Sequence, residues 1–176
     1  AAGIWSIGCN DKFLFISHSG THEISVIDHQ AMLDKFLNYP DKAMLDYDLR
    51  FLYGLRKFVP LKGNGPRKMI MDGDRLLVPT YFADILNIVD INTHEVTSVN
   101  LNPDREESAE NKGERFFNDA SHCFQQWQSC NGCHPGDART DGMNWDLMND
   151  GIGNSKNCKS MLFSHVTPPC MISGIR

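Results

Sequence analysis

The run Cys130-Asn131-Gly132-Cys133-His134 places two thiols and an imidazole within a single short segment. Two intervening residues bring both sulfurs to one helical turn. From there they can add across the two vinyl groups on one edge of a porphyrin and form thioethers. The next residue, His134, is then held beneath the iron and offers a ring nitrogen as its proximal ligand. The run is the attachment pattern of one covalent haem c, with Cys130, Cys133 and His134 as the cofactor-binding residues. Two other chemistries use the same thiol spacing. Zinc needs about two further ligands, which Cys158, His122 or Cys123 could offer. A dithiol for thiol–disulfide exchange expects a βαβ context, and the surrounding pattern does not supply one.

Several other residues bear on this chemistry. A second axial ligand to iron would come from Met143, Met148, Met161, Met171, His122 or His165. A Met there raises the potential, a second His lowers it, and an open position admits peroxide or oxygen. Arg139 could pair with a haem propionate or stay solvated, and Trp145 is read as packing. Cys158 and Cys170 are either a disulfide or two buried thiols. Cys9 falls on an inward strand position. His18, His22, His29 and His94 lie in or near turns, with no set of ligand partners around them.

The elements that must position this run divide the chain. Residues 1–101 contain a repeat in which Lys12-Phe13-Leu14-Phe15-Ile16 aligns with Asp74-Arg75-Leu76-Leu77-Val78. Without a gap, Ile24-Ser25-Val26-Ile27-Asp28 then aligns with Leu86-Asn87-Ile88-Val89-Asp90. Each copy has a turn, a β-rich run, a polar break and a second β-rich run, which predicts a hairpin. A further strand is predicted over Val96-Thr97-Ser98-Val99. The interval between copies exceeds a propeller blade of ~40–45 residues. The excess, at about 29–64, shows apolar spacings of three and four, so short amphipathic helices are expected there as an insertion. Residues 102–112 are charged and poor in apolar side chains, as a linker would be. Over 113–176, Phe116, Phe117, Ala120, Phe124 and Trp127 fall on one helical face. Beyond His134 the chain is rich in Gly, Asn and Asp, with a short helix expected near Lys159 and Ser164.

The repeat resembles the bacterial β-propeller repeats named after a Tyr-Val-Thr-Asn tetrad. Ile16-Ser17-His18-Ser19 and Val78-Pro79-Thr80-Tyr81 stand at the tetrad, so the match is one of pattern. Two blades cannot close a ring, so the resemblance implies a larger propeller or an assembly; the alternative is a plain β-meander. The run Gly113-Glu114-Arg115-Phe116-Phe117-Asn118, the haem motif, Lys156-Asn157-Cys158-Lys159-Ser160-Met161-Leu162 and Ser173-Gly174-Ile175-Arg176 together resemble the first haem domain of the dihaem cytochrome c peroxidases and methylamine-utilisation-type enzymes. In that family the loop after the motif returns across the haem face, which ranks Met148 and His165 first as the distal ligand. The family carries a Trp just before Asp-Gly-Arg, where this chain has Met171-Ile172. A second C-x-x-C-H and the family's catalytic Glu are not found in the sequence. The fold class implied is mixed: β-propeller-like antiparallel blades followed by a mainly α cytochrome c-like domain.

Composition sets the remaining bounds. The chain has 176 residues, 41% hydrophobic and 22% charged, with a formal net charge of −5 and six cysteines. Phosphate recognition needs clustered Lys and Arg, so nucleic acid is excluded as an expected partner. No apolar run approaches the ~18–20 residues of a membrane helix. The start Ala1-Ala2-Gly3-Ile4 reads as a processed protein or a piece of a longer one. The expected function is a haem c electron-transfer module of a peroxidase-like protein, reducing hydrogen peroxide in its complete form. Its expected partner is a redox protein or second haem domain. Because c-type haem is attached after export, the expected location is the periplasm or the cell surface. The alternatives are a propeller-based binding or surface protein with a structural or sensory haem, and a zinc-binding domain.

Overall fold

Alternation builds the first strands. In Phe13-Leu14-Phe15-Ile16-Ser17-His18, Phe15 and Ser17 are buried on one face, the period of a pleated strand. The partner run, Ile24-Ser25-Val26-Ile27, is buried on both faces. The computed structural model describes residues 2–145 and 156–168. Within these, β1 (Ile4–Cys9), β2 (Phe13–His18), β3 (Glu23–Asp28) and β4 (Arg56–Pro60) form one antiparallel sheet in that order. A second antiparallel sheet contains β5 (Ile70–Asp72), β6 (Arg75–Thr80), β7 (Ile85–Asp90) and β8 (Val96–Asn100), again in sequence order.

The repeat appears in the register. Phe13 faces Asp28 across β2 and β3, and Arg75 faces Asp90 across β6 and β7. The closing aspartate has the same role in both copies, because its side chain captures the amides that follow. Asp28 Oδ1 accepts from the Ala31 amide at 2.9 Å and so caps helix α1 (His29–Leu37). Asp90 Oδ1 accepts from the Asn92 and Thr93 amides at 2.9 and 2.8 Å and closes the turn into β8. After α1, a 3₁₀ turn at Lys42–Tyr47 precedes β4. Residues 56–60, inside the stretch expected as an insertion, thus complete the first sheet.

The two sheets share one core. Phe15, Ile24, Val26 and Val59 of the first sheet meet Leu76, Val78, Val89 and Ile91 of the second. Burying each such side chain stabilises the fold by ~1.5–3 kcal/mol. The connecting segment between the sheets is fastened by hydrogen bonds. The Ser6 and Ser17 hydroxyls both donate to the Arg67 carbonyl, at 2.6 and 2.7 Å. Buried Asn87 accepts from the Lys62 amide at 3.0 Å and from the Ser98 hydroxyl at 2.8 Å, and donates to the Lys62 carbonyl at 3.1 Å. Such full satisfaction is what a buried amide requires.

The second half corrects the sequence expectation. A mainly α cytochrome c-like domain is not found among the described residues, which are mostly antiparallel sheet with few helices. After α2 (Ala109–Asn118), the remaining helices α3 (Cys130–Cys133) and α4 (Pro135–Ala138) are single turns. A small antiparallel pair, β9 (Asn144–Trp145) and β10 (Lys156–Asn157), follows them. The helical face drawn through Trp127 breaks at Asp119, whose side chain caps a new 3₁₀ turn. Gln125 and Gln126 then adopt left-handed φ of 54° and 53°, which no α-helix accommodates. Near Ser164 the chain makes turns rather than a helix. Cys9 is exposed, because β1 is an edge strand with no layer over that end.

His18 is a buried exception to the apolar core. Its Nε2 lies 2.7 Å from the Ser25 hydroxyl, and its Nδ1 has no partner. Burial, with a smaller contribution from the Arg56 charge, pushes its pKa down to about 4 from 6.5. Below about pH 6.5 the unfolded imidazole binds a proton that the folded one refuses until about pH 4. Stability from this group is therefore full above 6.5 and is lost as pH falls toward 4, by ~1–3 kcal/mol. Urea midpoints measured from pH 7 to pH 4.5 are expected to fall more steeply for the native chain than for His18→Leu.

Candidate functional site

The cysteine-bearing segment is held to the sheets through Asp119. Its Oδ1 accepts from the Ser121 amide at 2.8 Å and from His22 Nε2 at 3.1 Å. The Gly65 amide donates to His22 Nδ1 at 3.1 Å, so the ring proton sits on Nε2 and points at the carboxylate. The Asn64 side chain donates from Nδ2 to Asp119 Oδ2 at 3.3 Å. Beside this cluster the Ala120 amide donates to the Gly20 carbonyl at 2.9 Å, and Ala120 is fully buried. Gly65 has φ +72°, and a Cβ there would meet the Phe82 ring at 2.4 Å, so this close approach requires glycine. A second tie runs through Arg67, whose guanidinium stacks on Tyr81 at 3.6 Å and on Trp5 at 4.2 Å. Arg67 also pairs with Glu114 of α2 at 3.2 Å.

Past the two left-handed glutamines, the chain enters α3, which is the expected attachment run itself. Cys130 and Cys133 open and close one helical turn, and the His134 amide donates to the Cys130 carbonyl at 3.0 Å. Pro135 begins α4, where its missing amide hydrogen costs nothing. Cys130 is exposed, while Cys133 and His134 are half-buried. His134 Nδ1 lies 3.4 Å from the Arg139 carbonyl. A carbonyl only accepts, so Nδ1 carries the proton and the Nε2 lone pair is left for another partner.

A cleft of about 330 Å³ opens beside this turn. It is lined by Cys130, Cys133 and His134, by Gln128 and Ser129 just before them, by Asp119, His122 and Cys123, and by Met161 from the later segment. Met161 reaches the cleft because its amide donates to the Ala138 carbonyl at 2.8 Å. A larger cleft of about 380 Å³, lined among others by Tyr81, Asp84, Arg105 and Glu114, contains no thiol or imidazole.

The candidates for a second axial ligand separate. His122 and Met161 line the cleft, whereas Met143 and His165 do not, although all four are exposed. Met148 and Met171 lie outside the described residues, as does Cys170. Phe116, Phe124 and Trp127 are exposed, and none of these lines the cleft. Arg139 is exposed, and Trp145 donates from Nε1 to Asp141 Oδ2 at 2.8 Å.

One neighbour was not evident from spacing. Asp141 approaches Cys133 and Cys158, and the three ligand atoms lie within 4.8 Å of one another. The Cys133 sulfur also accepts from Gln128 Nε2 at 2.8 Å. Burial, then the nearby Cys133 and Asp141, push the Cys158 thiol up to about 11. The Met143 amide, with help from the Trp145 ring N–H, holds Asp141 below the usual carboxylate range. The only sequence hint of this arrangement is the turn chemistry of Thr140-Asp141-Gly142.

Asp119 gives the site its acid sensitivity. Burial alone would raise its pKa, but hydrogen bonds from Ser121 and the His22 imidazole outweigh that and lower it. A depressed carboxyl stabilises the fold above its unfolded pKa, and that stability is lost as pH falls through the folded value. Asp119→Ala leaves the Ser121 amide unpaired and removes the carboxylate facing His22 Nε2, and is expected to cost ~1–3 kcal/mol at pH 7. The difference from the native chain, read from urea midpoints, is expected to shrink below pH 4. No protein-family model and no curated protein matches this chain, so the functional reading rests on its own residues.

Proposed function

We infer that this chain carries one covalent haem c on Cys130 and Cys133, with His134 as proximal ligand, and works as an electron-transfer module. The observation that carries the reading is the pairing of the C-x-x-C-H run with an imidazole whose Nδ1 is already committed to the Arg139 carbonyl. That contact orients the ring and leaves the Nε2 lone pair open to a metal, as commonly found for metal-bound histidines.

The residues present fit such a group. Both sulfurs lie on one helical turn and border one cleft with His134. The cleft also offers one thioether, Met161, and one further imidazole, His122, either of which could serve as a second ligand. When bound, haem supplies a one-electron couple whose potential follows the axial ligand and the surrounding burial. The chain's own residues do the positioning. Pro135 and the Arg139 carbonyl hold His134, Asp119 ties the cleft wall to the sheets, and the Met161 amide bond to Ala138 draws the later segment over the site.

Electrons would pass to a redox partner protein or a second haem domain, and in a complete protein the destination would be hydrogen peroxide. Attachment after export puts this work in the periplasm or at the cell surface. The resemblance of the motif flanks to the dihaem peroxidases supports this assignment.

Production in a host with a cytochrome c maturation system tests the reading. A haem c absorption spectrum that survives acid–acetone extraction is expected, and Cys130→Ser together with Cys133→Ser abolishes it. Met161→Ala is expected to lower the reduction potential, since a thioether ligand raises it. Colourless folded protein from that host would contradict the assignment.

A further inference from the structure

The geometry points to a thiophilic metal site, built from Cys133, Asp141 and Cys158, that binds a divalent ion such as Zn²⁺ when Cys133 is not held in a thioether. This goes beyond the haem reading, because Cys158 and Asp141 have no part in the attachment run.

Three observations carry it. The two sulfurs and a carboxylate oxygen already lie within 4.8 Å of one another, and no other such trio occurs among the described residues. In a tetrahedral site with metal–sulfur bonds of ~2.3 Å and metal–oxygen bonds of ~2.0–2.2 Å, ligand atoms stand a little closer than that, so small side-chain rotations suffice. Two thiolates and a carboxylate together carry three negative charges, enough to hold a divalent ion with a net charge of −1, and water completes the fourth position.

Secondly, the backbone holds the ligands independently of any metal. The Asp141 amide donates to the Cys133 carbonyl at 3.1 Å, and the Cys158 amide donates to the Met143 carbonyl at 3.2 Å. The Thr140 hydroxyl donates to the Cys158 carbonyl at 2.8 Å. Asp141 precedes β9 and Cys158 follows β10, so the pairing of these two strands sets their separation.

Thirdly, the described residues around the site have little regular structure of their own. β9 and β10 pair through two residues each, and α3 and α4 are single turns. Segments of this kind gain most from a metal that bridges them. Binding would release the Cys133 and Cys158 thiol protons to solvent, with no change of oxidation state. One sulfur cannot be both thioether and thiolate ligand, so metal and haem would exclude each other at Cys133.

The test uses Co²⁺ as a spectroscopic probe on the full chain, produced without haem and kept reduced. One Co²⁺ per chain is expected, with thiolate-to-metal absorption. Cys158→Ser removes most of that absorption, Asp141→Asn weakens binding at least tenfold, and Cys130→Ser leaves both unchanged. The haem-bearing chain takes up no Co²⁺. Absence of thiolate-to-metal absorption in a chain with intact sheet circular dichroism would overturn the proposal. So would absorption lost in Cys130→Ser but kept in Cys158→Ser. Because haem attachment needs Cys130 and this site does not, the Cys130→Ser chain separates failure of one reading from failure of the other.

Discussion

A buried carboxylate joins the two halves of this molecule. Asp119 is 6% exposed and receives hydrogen bonds from His22, Asn64 and Ser121. A carboxylate so far from water is tolerated only when its lone pairs are used. Its partners come from different places: His22 follows β2, Asn64 lies between the sheets, and Ser121 starts the cysteine-bearing segment. The same residue lines the cleft beside Cys130 and Cys133. The sheets therefore act as a base, and the chemistry is mounted on it through this carboxylate, the Ala120 bond to Gly20 and the Arg67–Glu114 pair. That arrangement suits a segment which has short helices, one tiny hairpin and little core of its own.

The site's second feature is that the two proposed chemistries would compete for one sulfur. Cys130 is exposed and committed to nothing, while Cys133 faces Gln128, Asp141 and Cys158. Thioether formation at both would use Cys133 in one way, and ion binding would use it in another. His134 is tied to the first chemistry by its Nδ1 contact with the Arg139 carbonyl. Asp141 and Cys158 are tied to the second by the strands that flank them. The two chemistries share a residue but not a geometry, and the order in which haem and metal meet the chain would decide which prevails.

Much of the β architecture is legible in the residues. β2, β3, β6 and β7 follow from runs of β-branched and aromatic side chains, and the aspartates at 28 and 90 mark where each hairpin ends. The same aspartate caps a helix in one copy and closes a turn in the other, and only the following residues decide which. β4 escaped because Arg56-Lys57-Phe58-Val59-Pro60 has no strong alternation and is recruited by its neighbour β3. Tertiary pairing overrides a weak local signal. The helix drawn from Phe116 through Trp127 failed for a different reason. Apolar spacing suggested continuity, but Asp119 is a capping residue and its side chain begins a new turn. Of the site, the C-x-x-C-H run was legible as one short turn that brings both thiols and His134 to one cleft. Asp141 and His22 were not, since their meaning comes from residues distant in sequence.

The central claim is covalent, and a covalent bond can be weighed. Peptide mass spectrometry on protein matured in a cytochrome-competent host reads the fragment containing Cys130, Cys133 and His134. One porphyrin joined to both sulfurs of that fragment is the result this account predicts. The same fragment carrying two free thiols, or sulfurs that bind only zinc, would contradict it.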